Sequence, residues 1–185
     1  MAQTWRVRRY KSSTAPRPPL DTARLEALAL HYVGRYATTQ AKLAAYLARR
    51  LARQGWEGED PPPVDAIVAR LAGLGYVDDR AFATARAGSL SRRGLGPRRL
   101  DEALRAAGVS EQDGADARDK ARENALASAL ALARRRRLGP FAGTPADPDA
   151  RRRAIAVLMR AGHEFALARQ IAFATCESDL DPERF

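Results

Sequence analysis

Residues 92–108 read RRGLGPRRLDEALRAAG and combine a tight corner with a short apolar stripe. Proline is tolerated at the first position of a helix, so Pro97 after a glycine predicts a helix start. Leu100 and Leu104 then lie on one face, and Gly108 ends the helix because glycine readily adopts the left-handed conformation found there. The stretch therefore predicts a short amphipathic helix that packs through a narrow stripe.

A stripe of this kind, closed by a glycine, occurs three times at nearly equal intervals. Two of the copies also follow an Arg-Arg pair and a Gly-Pro step. One leucine stripe is common in any helical protein, but three evenly spaced copies are typical of a tandem array. The three sets are Leu47, Leu51 and Gly55; Leu100, Leu104 and Gly108; and Ala154, Leu158 and Gly162.

Helical periodicity continues on both sides of this block and predicts an all-α chain. Thr38 or Thr39, Asp78 and Ser110 stand where helix N-caps are expected. Residues 111–137 are helical in pattern, as one long helix or as two. The predicted division is a flexible basic arm at 1–20, three-helix repeats at 21–76, 77–120 and 121–175, and an acidic tail at 176–185 that frays.

Composition supports small helical units over one large globule. The chain has 185 residues and is 45% hydrophobic, but aromatic residues make up only 6% and alanine is abundant. The core must therefore be thin and made by closely approaching helices.

The charge balance indicates a polyanionic partner. A net charge of +10 suits nucleic acid, an anionic membrane or an acidic protein surface, and charge alone does not choose among them. The single Cys176 excludes an internal disulfide, and neither a signal peptide nor a membrane-spanning apolar run is found in the sequence. We expect a cytoplasmic protein without a membrane association.

The search for catalytic chemistry finds no candidate site. His31 and His163 have no partner residues at metal-ligand spacing, and no nucleophile–base constellation is present. The adjacent carboxylates of Asp78 and Asp79 fit helix capping better than a metal site. The sequence predicts a binding protein that is not an enzyme and uses no cofactor or metal.

The central block resembles the RecX family, the bacterial regulators of the RecA recombinase. Two helix starts at a characteristic separation carry the resemblance, which extends more weakly over residues 22–175. The matching residues are Gly75, Tyr76, Asp78, Asp79 and Phe82, followed by Gly94, Gly96, Pro97, Leu100, Leu104 and Gly108.

The resemblance implies tandem three-helix repeats that form an elongated, curved molecule. It also implies a protein that binds RecA filaments on single-stranded DNA and inhibits recombinase, ATPase and co-protease activities, and so modulates DNA repair and the SOS response. We expect a monomer, although the sequence itself does not determine the oligomeric state. Whether it caps or coats filaments, and whether it contacts single-stranded DNA directly, stays open. The loops at 57–63 and 141–150 are longer than is usual in the family.

Three arginine clusters are the candidate contacts with RecA or DNA. A solvated basic face explains the first of these clusters equally well, and the resemblance favours partner contact there; for the other two clusters, simple exposure is the commoner explanation. The alternative function is a helix-turn-helix-like protein that binds DNA directly. The candidate residues are Arg92, Arg93, Arg98 and Arg99; Arg134, Arg135, Arg136 and Arg137; and Arg151, Arg152 and Arg153.

Two aromatic residues of the central block have alternative interpretations. Tyr76 and Phe82 could stack on bases, as aromatic residues do in proteins that bind single strands. Their spacing relative to Leu74 and Val77 favours the hydrophobic core instead. The turn at 94–97 lacks the lysine and hydroxyl of a phosphate-binding loop and is expected to be a corner between helices.

Overall fold

The computed structural model describes residues 18–143 and 147–180, and within them the chain forms nine α-helices. The all-α prediction is confirmed: these ranges contain no strand, only an isolated bridge between Leu20 and Trp56. Two short 3-10 helices span Gly139–Phe141 and Glu177–Asp179. The α-helices are α1 (Thr22–Arg35), α2 (Gln40–Gln54), α3 (Val64–Gly73), α4 (Asp79–Arg92), α5 (Pro97–Ala107), α6 (Glu111–Glu123), α7 (Ala125–Arg136), α8 (Pro148–Arg160) and α9 (Phe165–Phe173).

The predicted helix ends are confirmed where capping chemistry is strongest. Pro97 is the first residue of α5, and Gly108 ends that helix in the left-handed conformation with φ 70°. A side-chain oxygen accepts the backbone N–H three residues on at each predicted N-cap. These pairs are Thr39 with Lys42 at 3.2 Å, Asp78 with Ala81 at 2.8 Å, and Ser110 with Asp113 at 3.0 Å.

The segment that the sequence left open as one helix or two is interrupted at Asn124. Its backbone N–H still donates to the Lys120 carbonyl, at 3.1 Å, and its side-chain amide donates to the same oxygen, at 2.8 Å. With ψ at 9°, Asn124 leaves the regular α conformation, and α7 begins at the next residue. A single asparagine, Asn124, therefore separates α6 from α7.

Three hydrophobic clusters follow one another along the chain. Helices α1–α3, α4–α6 and α7–α9 each surround one cluster, and we call these helix groups the first, second and third unit. Leu95 packs against both the second and the third cluster, so the corner before α5 belongs to two cores. The repeat boundaries given by the sequence stay predictions.

The prediction that Tyr76 is a core residue is wrong. Its side chain is 58% exposed, whereas the adjacent Val77 is buried. Gly75, with φ 76°, turns the chain out of α3, and the Tyr76 N–H donates to the Leu71 carbonyl at 3.0 Å. Helical phase therefore no longer applies at Tyr76. Phe82 is half-buried and packs against the second cluster, as predicted.

The predicted terminal segments differ from the structure at their inner edges. Leu20, assigned to the basic arm, is buried in the first cluster. Leu180, assigned to the fraying tail, is buried in the third. Residues 1–17 of the predicted arm and 181–185 of the predicted tail lie outside the described residues.

Candidate partner-binding groove

The second and third units are joined where the start of α5 contacts the end of α8. Helix starts leave backbone N–H groups without partners, and helix ends leave carbonyls without partners. Here the two sets satisfy one another: the Gly96 N–H donates to the Ala161 carbonyl at 2.9 Å, and the Arg98 N–H donates to the Gly162 carbonyl at 3.2 Å. The units are thus connected directly through backbone.

This junction requires glycine on both sides. A β-carbon on Gly96 would lie 2.5 Å from the Gly162 carbonyl oxygen. A β-carbon on Gly162 would lie 2.7 Å from the Arg99 backbone nitrogen, and φ at this glycine is 93°. The glycines that the sequence identified as helix stops therefore also allow neighbouring units to approach.

The first and second units are joined at the corresponding positions: the start of α2 contacts the end of α5. Thr39 Oγ1 donates to the Ala107 carbonyl at 2.5 Å. The buried Asp79 carboxylate accepts the Gln40 N–H at 2.9 Å. Burial raises the pKa of Asp79, and the hydrogen bond from Gln40 opposes that rise.

The acceptor at Asp79 has a simple explanation. Gln40 is the first residue of α2, so its N–H has no partner within the helix. In α5 that position is Pro97, which has no N–H. Asp78 caps α4, whereas Asp79 accepts a hydrogen bond from the start of α2. Among the described residues, no cluster of three His, Cys, Asp or Glu side chains is suited to a metal.

Beside the junction of the second and third units lies a groove edged by four arginines. We call it the arginine groove. Arg135 Nη2 donates to the Arg93 carbonyl at 2.5 Å, which fixes α7 against the end of α4. None of the four arginines forms an ion pair with another described residue. The edge residues are Arg93, Arg135, Arg136 and Arg160, and the apolar floor comprises Leu95, Leu132, Val157 and Ala161.

Helix ends explain why these like charges are found together. Arg93 follows the last residue of α4, Arg135 and Arg136 are in the last turn of α7, and Arg160 ends α8. The carbonyl end of a helix carries partial negative charge, which stabilises nearby cations. Three such ends converge here, so the arginines are held without carboxylates. Their charge remains available to an anionic partner.

The structure brings together only part of the predicted arginine set. Arg93, Arg135 and Arg136 meet in the groove. Arg92 instead lines a separate depression between α4 and α6, with Lys120. The other candidates are dispersed.

Three of the dispersed arginines already have carboxylate partners. Arg99 pairs with Glu102 at 2.7 Å, and the others are Arg134 with Glu177 and Arg152 with Asp149. Arg98, Arg137 and Arg153 are exposed, and Arg151 lies over the Phe173 ring.

Arg160, the fourth edge residue of the arginine groove, is not among the candidates predicted from the sequence. It stands two residues before Gly162, at the end of an already identified stripe. Once the ends of the stripe helices are known to be junctions between units, an arginine in the last turn of such a helix becomes a candidate contact with a partner. Without the junction, Arg160 looks like any exposed helical arginine.

The remaining motif residues hold this geometry in place. Leu100 and Leu104 are buried in the second cluster. Gly94, with φ 70°, ends the α4 corner with its α-carbon close to Leu132 of α7. His163 follows Gly162, is fully buried, and lies with Nε2 at 3.1 Å from the Gly94 carbonyl.

Acid is expected to weaken this junction through His163. Burial lowers the pKa of His163 below its ordinary value of 6.5, although the Gly94 contact opposes this. The folded protein therefore binds fewer protons than the unfolded chain, so the free energy of unfolding falls as pH drops through 6.5 toward the lower folded-state pKa. Urea unfolding at pH 7.5 and at pH 5.5 measures this loss.

Two variants assign the acid effect. His163→Gln should flatten the pH dependence between these values, whatever its own stability at pH 7.5. His31→Gln, which changes an exposed histidine, should leave the dependence as in the wild type. An unchanged slope in His163→Gln would contradict the assignment.

Comparison with known proteins agrees with this architecture. The family model described as "RecX, second three-helix domain" matches residues 78–117. "Regulatory protein RecX" of Myxococcus xanthus is 35% identical over 173 residues, covering 87% of this chain and 91% of that protein. The protein of the same name from Halorhodospira halophila is 35% identical over 156 residues, covering 84% and 89%.

Solved structures show the same fold. The crystal structure of RecX from Lactobacillus salivarius superimposes with a TM-score of 0.60 at 18% identity, over 81% of this chain and 93% of that chain. A second crystal structure of regulatory protein RecX gives 0.57 at 23% identity, over 81% and 72%.

The fold and the groove first place this protein in a structural class, the all-α proteins built of tandem three-helix units joined end to end. Within that class, the coverage and identity of the relatives are decisive. This chain belongs to the RecX family.

Proposed function

We propose that this protein binds RecA filaments on single-stranded DNA and inhibits their recombinase, ATPase and co-protease activities. It would thereby modulate homologous recombination, DNA repair and the SOS response in the cytoplasm. The observation that carries the proposal is membership of a family whose relatives are named regulatory proteins, together with a preformed cationic groove. No helix among the described residues is long and apolar enough to cross a membrane.

The junctions support a mechanism based on occupancy. Hydrogen bonds fix each unit to the next, between backbone groups where α5 meets α8 and through the Thr39 and Asp79 side chains where α2 meets α5. The array therefore acts as a connected body that presents several contacts at once. Multivalent contact with a repeating polymer gives strong overall binding from weak single sites. A monomeric, elongated array in the filament groove would block a second DNA strand and hinder growth at the filament end.

The arginine groove supplies the electrostatic part of this mechanism. A cationic edge above an apolar floor can bind phosphates or acidic protein side chains while excluding some water. A filament of RecA on single-stranded DNA contains both kinds of candidate partner, a protein and a phosphodiester strand.

The helix-turn-helix alternative has less support from these contacts. It requires a helix start free to enter a DNA groove. The starts of α2 and α5 are covered by the next unit at Ala107 and Ala161. Direct duplex recognition would have to use other helices.

Reconstitution tests the proposal. RecA is assembled on circular single-stranded DNA, the full chain is added, and ATP hydrolysis, strand exchange and RecA-dependent repressor cleavage are followed. We expect all three activities to fall at or below one protein per RecA monomer. Unchanged activities at that ratio would overturn the proposal, and tight duplex binding without RecA would favour the alternative.

A further inference from the structure

The outer face of α9 carries two phenylalanines with an arginine between them. Phe165, Arg169 and Phe173 are spaced by four residues, which places them along one side of the helix, with about 6 Å of rise between neighbours. Phe165 is 55% exposed and Phe173 is 50% exposed. The opposite side of α9 packs into the third cluster.

This stripe is peculiar to the third unit. The corresponding last helices of the other units, α3 and α6, contain no aromatic residue. The whole chain has only five phenylalanines, yet two are exposed on one face of a helix of nine residues. Core packing does not explain them, because Leu167, Ala168 and Ile171 already fill the buried side.

Arginines surround the Phe173 ring from two helices. The Arg151 guanidinium carbon lies 4.8 Å from the ring centroid, and that of Arg169 lies 5.6 Å away. Neither arginine forms an ion pair with a residue in the described ranges, and the buried Arg151 Nε has no acceptor there. Both guanidinium groups are therefore held by the Phe173 ring, and no described carboxylate neutralises their charge.

Carboxylates flank the stripe at its two ends, and Asp147 and Asp149 lie at the start of α8, the helix that carries Arg151. Glu164 precedes α9, and Glu177 and Asp179 follow it. Glu177 is paired with Arg134, and Asp179 accepts hydrogen bonds from Thr175 and Cys176. Asp147 accepts the Ala150 N–H and Asp149 pairs with Arg152, so among the described residues no carboxylate pairs with Arg151 or Arg169.

We propose that this face of α9 binds single-stranded nucleic acid, with bases stacked on Phe165 and Phe173 and phosphates bound by Arg169 and Arg151. Alternation of rings and cations matches a strand that alternates bases and phosphates. Stacking on an aromatic ring accepts any base, so the binding is independent of sequence. A depression beside Phe173, bordered by Arg151 and the 139–143 turn, gives room for one nucleotide.

This inference goes beyond the proposed function because it needs no RecA. A fluorescein-labelled oligo(dT) of 20 nucleotides is titrated with the full chain, and anisotropy reports binding. Each stacked base is worth about 1 to 3 kcal/mol, so Phe165→Leu and Phe173→Leu should each weaken binding about fivefold or more. Leucine keeps an apolar side chain but removes the aromatic face.

Tyr36→Leu is the matched control. Tyr36 is 52% exposed and has the Arg35 guanidinium carbon 5.8 Å from its ring centroid, but it is the C-cap residue of α1, in the first unit and away from the stripe. Its binding should equal that of the wild type. Arg169→Gln should lower the slope of log affinity against log salt by about 0.7, as expected for one lost phosphate contact to a single strand. Phe165→Leu should leave that slope unchanged.

The same variants separate this inference from the proposed function. Wild-type affinity of Phe165→Leu and Phe173→Leu for oligo(dT) would overturn the stacking face. If those variants bound oligo(dT) normally but failed to inhibit RecA ATPase, the face would be a protein contact, which also overturns the inference. Loss of oligo(dT) binding with RecA inhibition retained would support it, and an inactive wild type would overturn only the proposed function.

Discussion

Gly162→Ala is expected to lower the free energy of unfolding by about 3 kcal/mol. A left-handed or otherwise positive φ costs a non-glycine residue of order 1–3 kcal/mol, and here the new methyl also meets the Arg99 backbone nitrogen. Relief of that overlap would part α5 from α8 and weaken the hydrogen bonds to Ala161 and Gly162. Urea unfolding followed by circular dichroism at pH 7.5 measures the loss.

Gly75→Ala separates the two contributions. Gly75 also has a positive φ, of 76°, but a β-carbon there would meet nothing within 4 Å. We expect a loss of about 1 kcal/mol from backbone strain alone. Equal losses in the two variants would mean that the close approach at the junction adds nothing to stability.

Replacing Arg93, Arg135, Arg136 and Arg160 together with glutamine should abolish most inhibition of RecA. A charge-assisted hydrogen bond contributes about 1 kcal/mol or more, so losing four should raise the half-inhibitory concentration on the order of a thousandfold. The fold should persist, because these side chains stand at the groove edge and only one hydrogen bond between units, from Arg135 to the Arg93 carbonyl, is lost; circular dichroism of the variant checks this. RecA ATPase titrations give the measurement.

A charge-matched variant is the necessary control for this result. Glutamine at Arg49, Arg53, Arg80 and Arg105 removes the same charge from exposed positions outside the groove. We expect inhibition within about threefold of the wild type, because lowering the total charge weakens only the long-range attraction to an anionic partner. Similar losses in both variants would show that only total charge matters, and the groove would lose its assigned role.

Features with local physical causes could be predicted from the sequence. Thr39, Asp78 and Ser110 are caps because a side chain satisfies an N–H three residues away, and Pro97 and Gly108 follow equally local rules. The stripes at Leu100 and Leu104 follow helical periodicity. Each of these requires only the chemistry of one short segment.

Features between units could not be predicted. Arg93 meets Arg135 and Arg160 because three helix ends converge, and nothing local to any of them indicates that convergence. Asp79 looked like a second capping residue of its own helix, but its carboxylate serves Gln40 of another unit. The prediction for Tyr76 was wrong for the opposite reason. It extended the helical periodicity of α3 past Gly75, which turns the chain out of that helix.

The contact at Leu20 determines where such an array can lengthen. The Leu20 N–H donates to the Gly55 carbonyl at 3.0 Å, and the Glu57 N–H donates back to the Leu20 carbonyl at 3.0 Å. Gly55 ends α2 as Gly108 ends α5 and Gly162 ends α8, but this end receives the chain's own preceding segment, not another unit. During gene duplication, an additional repeat could be inserted between existing units with its junctions intact. One added before the first would have to displace Leu20 and break both of its hydrogen bonds to the segment that ends α2.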